Sequence, residues 1–353
     1  MDIASVRILR LALGTAVSLW FSQAVNWQMS FIAPVITMFL LALPMPPPKL
    51  KGGIGFLIVL TGSLLAGLLL LPPLQNQPMV GVILLVLALY WSFYFTAKGG
   101  SALIGTFATV GIAVSTAVGT VNLDAVLAVV SGVTSGAFVG ILFVWIAHAV
   151  LPDSMAVMPE LPAAAKPPAP PTKELSAARW SAFRSLMIVL PVALWFLFSS
   201  ASTAYVPVMI KVASMGQQAT NGGARLAGRS LVMSTIIGGA GATIGWQILS
   251  ITPTLTIYTL LIALGGLMMG PKIFQGRGMH PDGATWSYAF LTMIVILAPA
   301  VMDSAGGGPA GLKFWDRLVM FGGTTLYAVG TVYIFDAFTS GRSEAAANES
   351  ASD

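Results

Sequence analysis

Residues 49–71 read KLKGGIGFLIVLTGSLLAGLLLL: two lysines, a glycine pair, then an apolar run without a charge in it. The run is long enough to cross a bilayer, which takes about 17–25 residues. One such run would also suit the core helix of a large soluble protein, so the rest of the chain decides. Of 353 residues, 56% are hydrophobic and 8% are charged, and the mean hydropathy is +0.87. Soluble domains carry about a quarter charged residues. The composition therefore specifies an all-α polytopic membrane protein. The chain has no cysteine, so disulfides and thiol chemistry are excluded. His148 and His280 lie far apart, and nothing has the spacing of a metal site or implies a cofactor.

Working outward, similar runs fall at 8–26, 29–44, 54–71, 79–96, 102–119, 126–149, 182–199, 204–217, 230–250, 254–270, 284–302 and 317–338. The second and eighth are short for a crossing and are expected to be tilted inside protein, broken or re-entrant. Proline- and glycine-rich punctuation separates the runs, as in PMPPPKLKGG and GPKIFQGRGMHPDG. The opening arginines and apolar stretch could mimic a signal peptide. Trp20–Phe21 suits a cleavage region poorly, and a similar segment, RSLMIVLPVALWFLFSSASTAYVP, recurs mid-chain.

Twelve alternating crossings with a cytoplasmic N-terminus place fourteen of the 17 Lys and Arg residues inside, from Arg7 and Arg10 to Arg342. Lys313 and Arg317 fall outside, and Lys211 lies within a run. Such asymmetry is the positive-inside signature of a multi-pass membrane protein, here with both termini cytoplasmic. It also explains the net charge of +5 without nucleic acid.

The expected organisation is a six-helix unit at 1–150, a proline-rich cytoplasmic linker at 151–179, a second six-helix unit at 180–338 and a disordered tail at 339–353. The two units echo each other. FIAPVITMFLLALP (31–44) matches AYVPVMIKVASMGQ (204–217) with Pro34 against Pro207. Trp20–Phe21 pairs with Trp195–Phe196, Gly52–Gly53 with Gly222–Gly223, and Asp124 with Asp316. An even number of crossings per unit makes this a parallel repeat, with a pseudo-two-fold along the membrane normal and a shared pathway between the units.

Several segments together carry a family resemblance: RLALGTAVSLWF, the short proline-bearing second run, the basic glycine turns opening KLKGGIGFLIVLTGSLLAG and GGARLAGRSLVMSTIIGGAGATIG, and the late WDRLVMFGGTTL. The chain resembles the fusaric acid resistance and aromatic acid exporter family, and more distantly the plant malate-type anion channels. The resemblance implies efflux of aromatic or other organic acids across the inner membrane, alongside a periplasmic membrane-fusion adaptor. The large cytoplasmic domain of bigger members is missing, which marks a compact branch.

Lys211 is the charge that needs a reason, since a lysine inside a span costs about 2.5–3.5 kcal/mol on insertion scales. It could snorkel to the interface, or it could face the pathway and attract an anion. Its counterpart under the Pro34–Pro207 match is Met38, so the charge belongs to one unit alone. Gln217, Gln218, Thr220 and Asn221 follow, then Arg225 and Arg229 four apart on one helix face. Lys211, Gln217, Asn221, Arg225 and Arg229 are the candidate substrate-binding residues, against ordinary interfacial anchoring. Arg10 and Arg184 carry the same ambiguity.

Asp124, Asp303 and Asp316 are the candidates for proton coupling, against solvated loop ends. Gly238, Gly239 and Gly241-x-x-x-Gly245, like Gly62 and Gly67, read as helix packing. No nucleotide-binding loop and no cluster of nucleophile and base occurs, so the chain is not expected to be an enzyme. The expected function is proton-coupled export of an organic anion. A passive anion channel and a non-transporting subunit of an efflux complex stay open beside it. The expected partners are the anion, lipid, an adaptor and further copies of the chain.

Overall fold

A computed structural model describes residues 2–27, 29–153, 175–198, 208–209, 212–213, 216, 224–305 and 310–350. The chain is an all-α multi-pass membrane protein. Its helices are α1 Ile3–Ala24, α2 Ile32–Leu41, α3 Leu50–Leu69, α4 Leu71–Asn76, α5 Pro78–Ala97, α6 Ala102–Gly119, α7 Leu123–Val150 and α8 Leu175–Phe198, then α9 Ala224–Ile251, α10 Leu255–Ile273, α11 Gly283–Ala305 and α12 Ala310–Ser350. A two-residue hairpin, β1 Phe274–Gln275 and β2 Gly278–Met279, turns α10 into α11.

Local chemistry sets several ends. Asn122 caps α7 by accepting from the Ala125 amide at 3.1 Å, and Thr254 caps α10 through the Ile257 amide at 3.3 Å. Pro78 opens α5, where its missing N–H is harmless. The hairpin turns at Gly276, whose φ of 56° suits glycine.

Among the described residues, eight helices are long and apolar enough to cross a membrane, against the twelve crossings expected from hydropathy. The second apolar run, 29–44, yields only the ten-residue α2, about 15 Å of helix and half a hydrocarbon core. α6 contributes a shorter apolar helix, Ile104–Gly119. In the eighth run, Val208, Met209, Val212 and Ala213 are buried. Gly216 is buried as well, and the other members, Lys211 among them, lie outside the described residues.

Two boundaries differ from the composition-based reading. α8 starts at Leu175, inside the stretch assigned to the linker, because Leu175-Ser-Ala-Ala-Arg favours helix once the prolines end. α12 is continuous to Ser350, through the stretch read as a disordered tail. Glu344 and the alanines after it are strong helix formers, so low hydropathy there does not interrupt the backbone ladder.

The helices associate through small residues, as expected where lipid removes any hydrophobic drive between helices. α3 packs on α6, and α6 also on α5 and α7; α9 packs on α11, and α11 also on α10 and α12. α1 lies against α7 and α8 against α12. The main contacts that join the early helices to the late ones are α1 on α10 and α5 on α8, with α6 on α8 and α2 on α11 beside them. At the first, Gly266 and Gly270 are so close to Ala12 and Ile8 that a Cβ at either would lie 2.7 Å from its neighbour.

α2 rests on the middle of α7. Ile32 faces Gly136, and Ala33 and Ile36 face Gly140. Gly136 is thirteen residues into α7, so the α1–α2 turn sits about 20 Å along that helix, at mid-depth for a helix that crosses. The turn contains the left-handed residues Asn26 (φ 52°) and Met29 (φ 57°). Thr37 of α2 is fully buried and ties three helices: its hydroxyl meets Ser18 Oγ at 3.0 Å and donates to the Gly140 carbonyl at 3.1 Å.

Candidate functional site

Two features stand out among the described side chains. The first is an aromatic cluster where α2 meets its neighbours. Phe39 of α2 packs edge-on to Phe107 of α6, with ring centroids 5.8 Å apart, and to Tyr288 of α11 at 6.1 Å. Phe56 of α3 closes on Phe107 at 5.4 Å. Four rings from four helices thus line the meeting of the early and late helices, near the C-terminal end of the short α2. Phe107 and Phe56 are buried in the core, and Phe39 and Tyr288 are partly buried against it.

The second is a charge cluster at the end of the molecule where α1 starts and α7 finishes. Arg10 is 3% exposed. It donates from Nε and Nη2 to the Leu151 carbonyl at 3.0 and 2.6 Å, and from Nη2 to Asp153 Oδ1 at 2.5 Å. Arg7 donates from Nη1 to the Arg277 carbonyl at 2.7 Å, and its Nη2 reaches Asp153 Oδ2 at 3.5 Å. One carboxylate is therefore shared by two guanidiniums, firmly by Arg10 and loosely by Arg7. The cluster joins α1, the chain leaving α7 and the α10–α11 hairpin. Burial raises the pKa of Asp153, but the hydrogen bond and charge of Arg10, with those of Arg7, outweigh it and hold the carboxyl below the usual carboxylate range. The same end holds Lys49 and Lys51 at the start of α3, fixed nearby where Trp145 Nε1 donates to the Pro48 carbonyl at 2.7 Å.

The candidate residues read from the sequence are distributed as follows. Lys211, Gln217 and Asn221 lie outside the described residues. The backbone of Arg225 is in the first turn of α9, and Arg229 is exposed one turn later. Asp124 is exposed in the first turn of α7, where a carboxylate complements the helix dipole. Asp316 is exposed on α12, and the backbone of Asp303 is near the end of α11. Asp124 thus occupies the end of α7 remote from the arginine cluster. Among the described residues no group of three or more His, Asp or Glu side chains could hold a metal ion.

Sequence reasoning missed Asp153 and the four rings. Asp153 stands two residues beyond an apolar run, at the edge of a segment read as linker, and only a partner 143 residues away gives it a role. The rings carry no local signal, being ordinary apolar positions in their own helices.

Comparison with known proteins adds one match. A family model described as a protein of unknown function, DUF2955, matches residues 7–147, the segment from α1 to near the end of α7. No curated protein and no solved structure matches the chain. The likeness to the fusaric acid resistance and aromatic acid exporters rests on the motifs quoted above.

Proposed function

We propose that the chain exports organic acids, aromatic ones in particular, across the inner membrane in exchange for protons. The observation that carries this reading is the ring cluster of Phe39, Phe107, Phe56 and Tyr288 near the C-terminal end of α2, a helix that begins at mid-depth after a non-helical turn. Non-helical backbone at that depth is tolerated where protein or a water-filled path surrounds it, and transporter sites are commonly built on such broken helices. The basic end then faces the cytoplasm, where Arg7, Arg10, Lys49 and Lys51 concentrate anions before entry.

The finer arrangement belongs to the same proposal: two parallel six-helix units related by a pseudo-two-fold. Matching helix pairs support it. α3 on α6 corresponds to α9 on α11, α5 on α6 to α10 on α11, and α1 on α10 to α8 on α5. In this scheme Lys211, Gln217, Asn221, Arg225 and Arg229 contact the anion. Asp124, Asp303 and Asp316 carry protons at the outer face, and a periplasmic adaptor receives the cargo.

The test is benzoate flux in proteoliposomes under an imposed pH gradient. Flux that follows the gradient, is lost in Lys211→Met and is partly kept in Lys211→Arg supports export. Conductance indifferent to the gradient makes the chain a channel. No flux without a second protein makes it a subunit. In intact cells, a cysteine placed at Ala164 of this cysteine-free chain should resist external labelling; labelling from outside would reverse the orientation.

A further inference from the structure

The Arg7–Arg10–Asp153 cluster has the form of a filled ligand site. We propose that Arg7 and Arg10 are a carboxylate clamp at the entry to the pathway, and that Asp153 occupies it as an internal stand-in for the carboxylate of the cargo. The identification of the cargo as a carboxylate rests on the export reading; the clamp itself rests on geometry.

A tie whose only task is to hold α1 to α7 already exists without Asp153, because Arg10 grips the Leu151 carbonyl with two donors. Asp153 adds a carboxylate whose two oxygens go to two different arginines, the arrangement by which a small free carboxylate would be held. The charges do not balance: two guanidiniums face one carboxylate, so displacing Asp153 leaves a site of charge +2 ready for an anion. Arg7 is held at a distance, 3.5 Å from Asp153 Oδ2, where a better-placed oxygen would bind more closely. Nη1 of Arg10 makes no hydrogen bond among the described residues, which leaves a donor for it. The occupant is also displaceable. The Asp153 side chain is 37% exposed, against 3% for Arg10. It stands just past the end of α7, and it is followed by the proline-rich chain. A ligand needs to move one side chain, with no helix leaving its place.

The site would favour monocarboxylates over neutral isosteres. It uses other residues than the Lys211 group, and its two arginines are on α1, which packs tightly on α10 at Gly266 and Gly270.

The experiment is titration of the full-length protein in nanodiscs with benzoate, and with benzamide as neutral control, read by calorimetry. Asp153→Asn should bind benzoate about tenfold more tightly than the unaltered protein, the factor for one charge-assisted hydrogen bond no longer contested. Adding Arg7→Gln should remove that gain, and benzamide should show none. Equal benzoate affinity in Asp153→Asn and the unaltered protein, or an equal gain for benzamide, would overturn the proposal. Should Asp153→Asn fail to fold by thermal melting, Arg7→Gln alone decides: it should weaken benzoate binding several-fold at an unchanged melting temperature, and unchanged binding refutes the clamp. These outcomes are separate from export, since flux with no clamp binding would sink the clamp and spare the transporter.

Discussion

α3 with α6 and α9 with α11 are two helix pairs built on one device and detailed differently. Both bring backbones together at glycine. In the first pair the glycines are reciprocal: Gly67 of α3 lies against Ser115 and the Ile112 carbonyl, and Gly111 of α6 against Ser63. In the second they are all on α9, where Gly238 meets the Ala289 carbonyl and Thr292, Gly241 meets Met293, and Gly245 meets Leu297. Each pair is also bridged by threonines to the next helix. Thr61 meets Thr134 of α7 at 3.1 Å, and Thr235 meets Thr325 of α12 at 3.0 Å. The lesson is that close approach needs small residues at the contact, on either helix. A motif confined to one helix, such as Gly241-x-x-x-Gly245, is one way of supplying them.

The comparison can be broken most sharply at its tightest points. Gly238→Ala would press a Cβ onto the Ala289 carbonyl and lie 2.6 Å from Thr292 Cβ, with backbone on one side. Gly67→Ala would lie 2.6 Å from Ser115 Cβ and 3.0 Å from the Ile112 carbonyl. Each should cost about 1–3 kcal/mol, the range for overpacking, read as a lowered melting temperature in detergent. If one is harmless and the other severe, the two pairs do not share a device.

Next in size is the clasp at α1. Asp153 has a folded pKa below its unfolded value, so its contribution to stability is complete above about 4, the ordinary carboxylate pKa, and is lost as pH falls through the folded value. Melting temperature followed from pH 7 to pH 3 should fall less steeply in Asp153→Asn, and identical curves would remove Asp153 from the stability balance. The threonine bridges come third: Thr61→Val and Thr235→Val should each cost about 0.6 kcal/mol, the average for hydrogen bonds between membrane helices. At the bottom, Gly62→Ala meets nothing within 4 Å and should be neutral or stabilising by a few tenths of a kcal/mol, through helix propensity. A loss at Gly62 would reveal a contact, such as a second copy of the chain, on that face.

Legibility in the sequence followed the range of the interaction. The run at 54–71 and the helix Leu50–Leu69 agree because hydropathy is summed over neighbours in the chain. The α9 glycines were legible for the same reason, since all the small residues of that contact lie in one window. Gly111 and Gly136 were not, because each has meaning only against a distant helix. The brevity of the second run was visible, but what it packs on was not: Gly136 and Gly140 of α7 decide that α2 lies at mid-depth. Of the candidate site, the excess of basic residues at one end was readable from charge alone.

The sequence by itself determined the class of the molecule. An apolar chain with 8% charged residues and no cysteine can satisfy its backbone in lipid only as helices or a closed barrel, and uninterrupted runs rather than alternation select helices. The tertiary structure decided which residues act together. Arg10 and Asp153 are 143 positions apart, and Phe39 reaches Tyr288 only because α2 ends where α11 passes. Hydropathy is a property of a window of residues. An ion pair or a ring contact depends on where two distant windows come to rest, and in lipid that is settled by the fit of small side chains between helices.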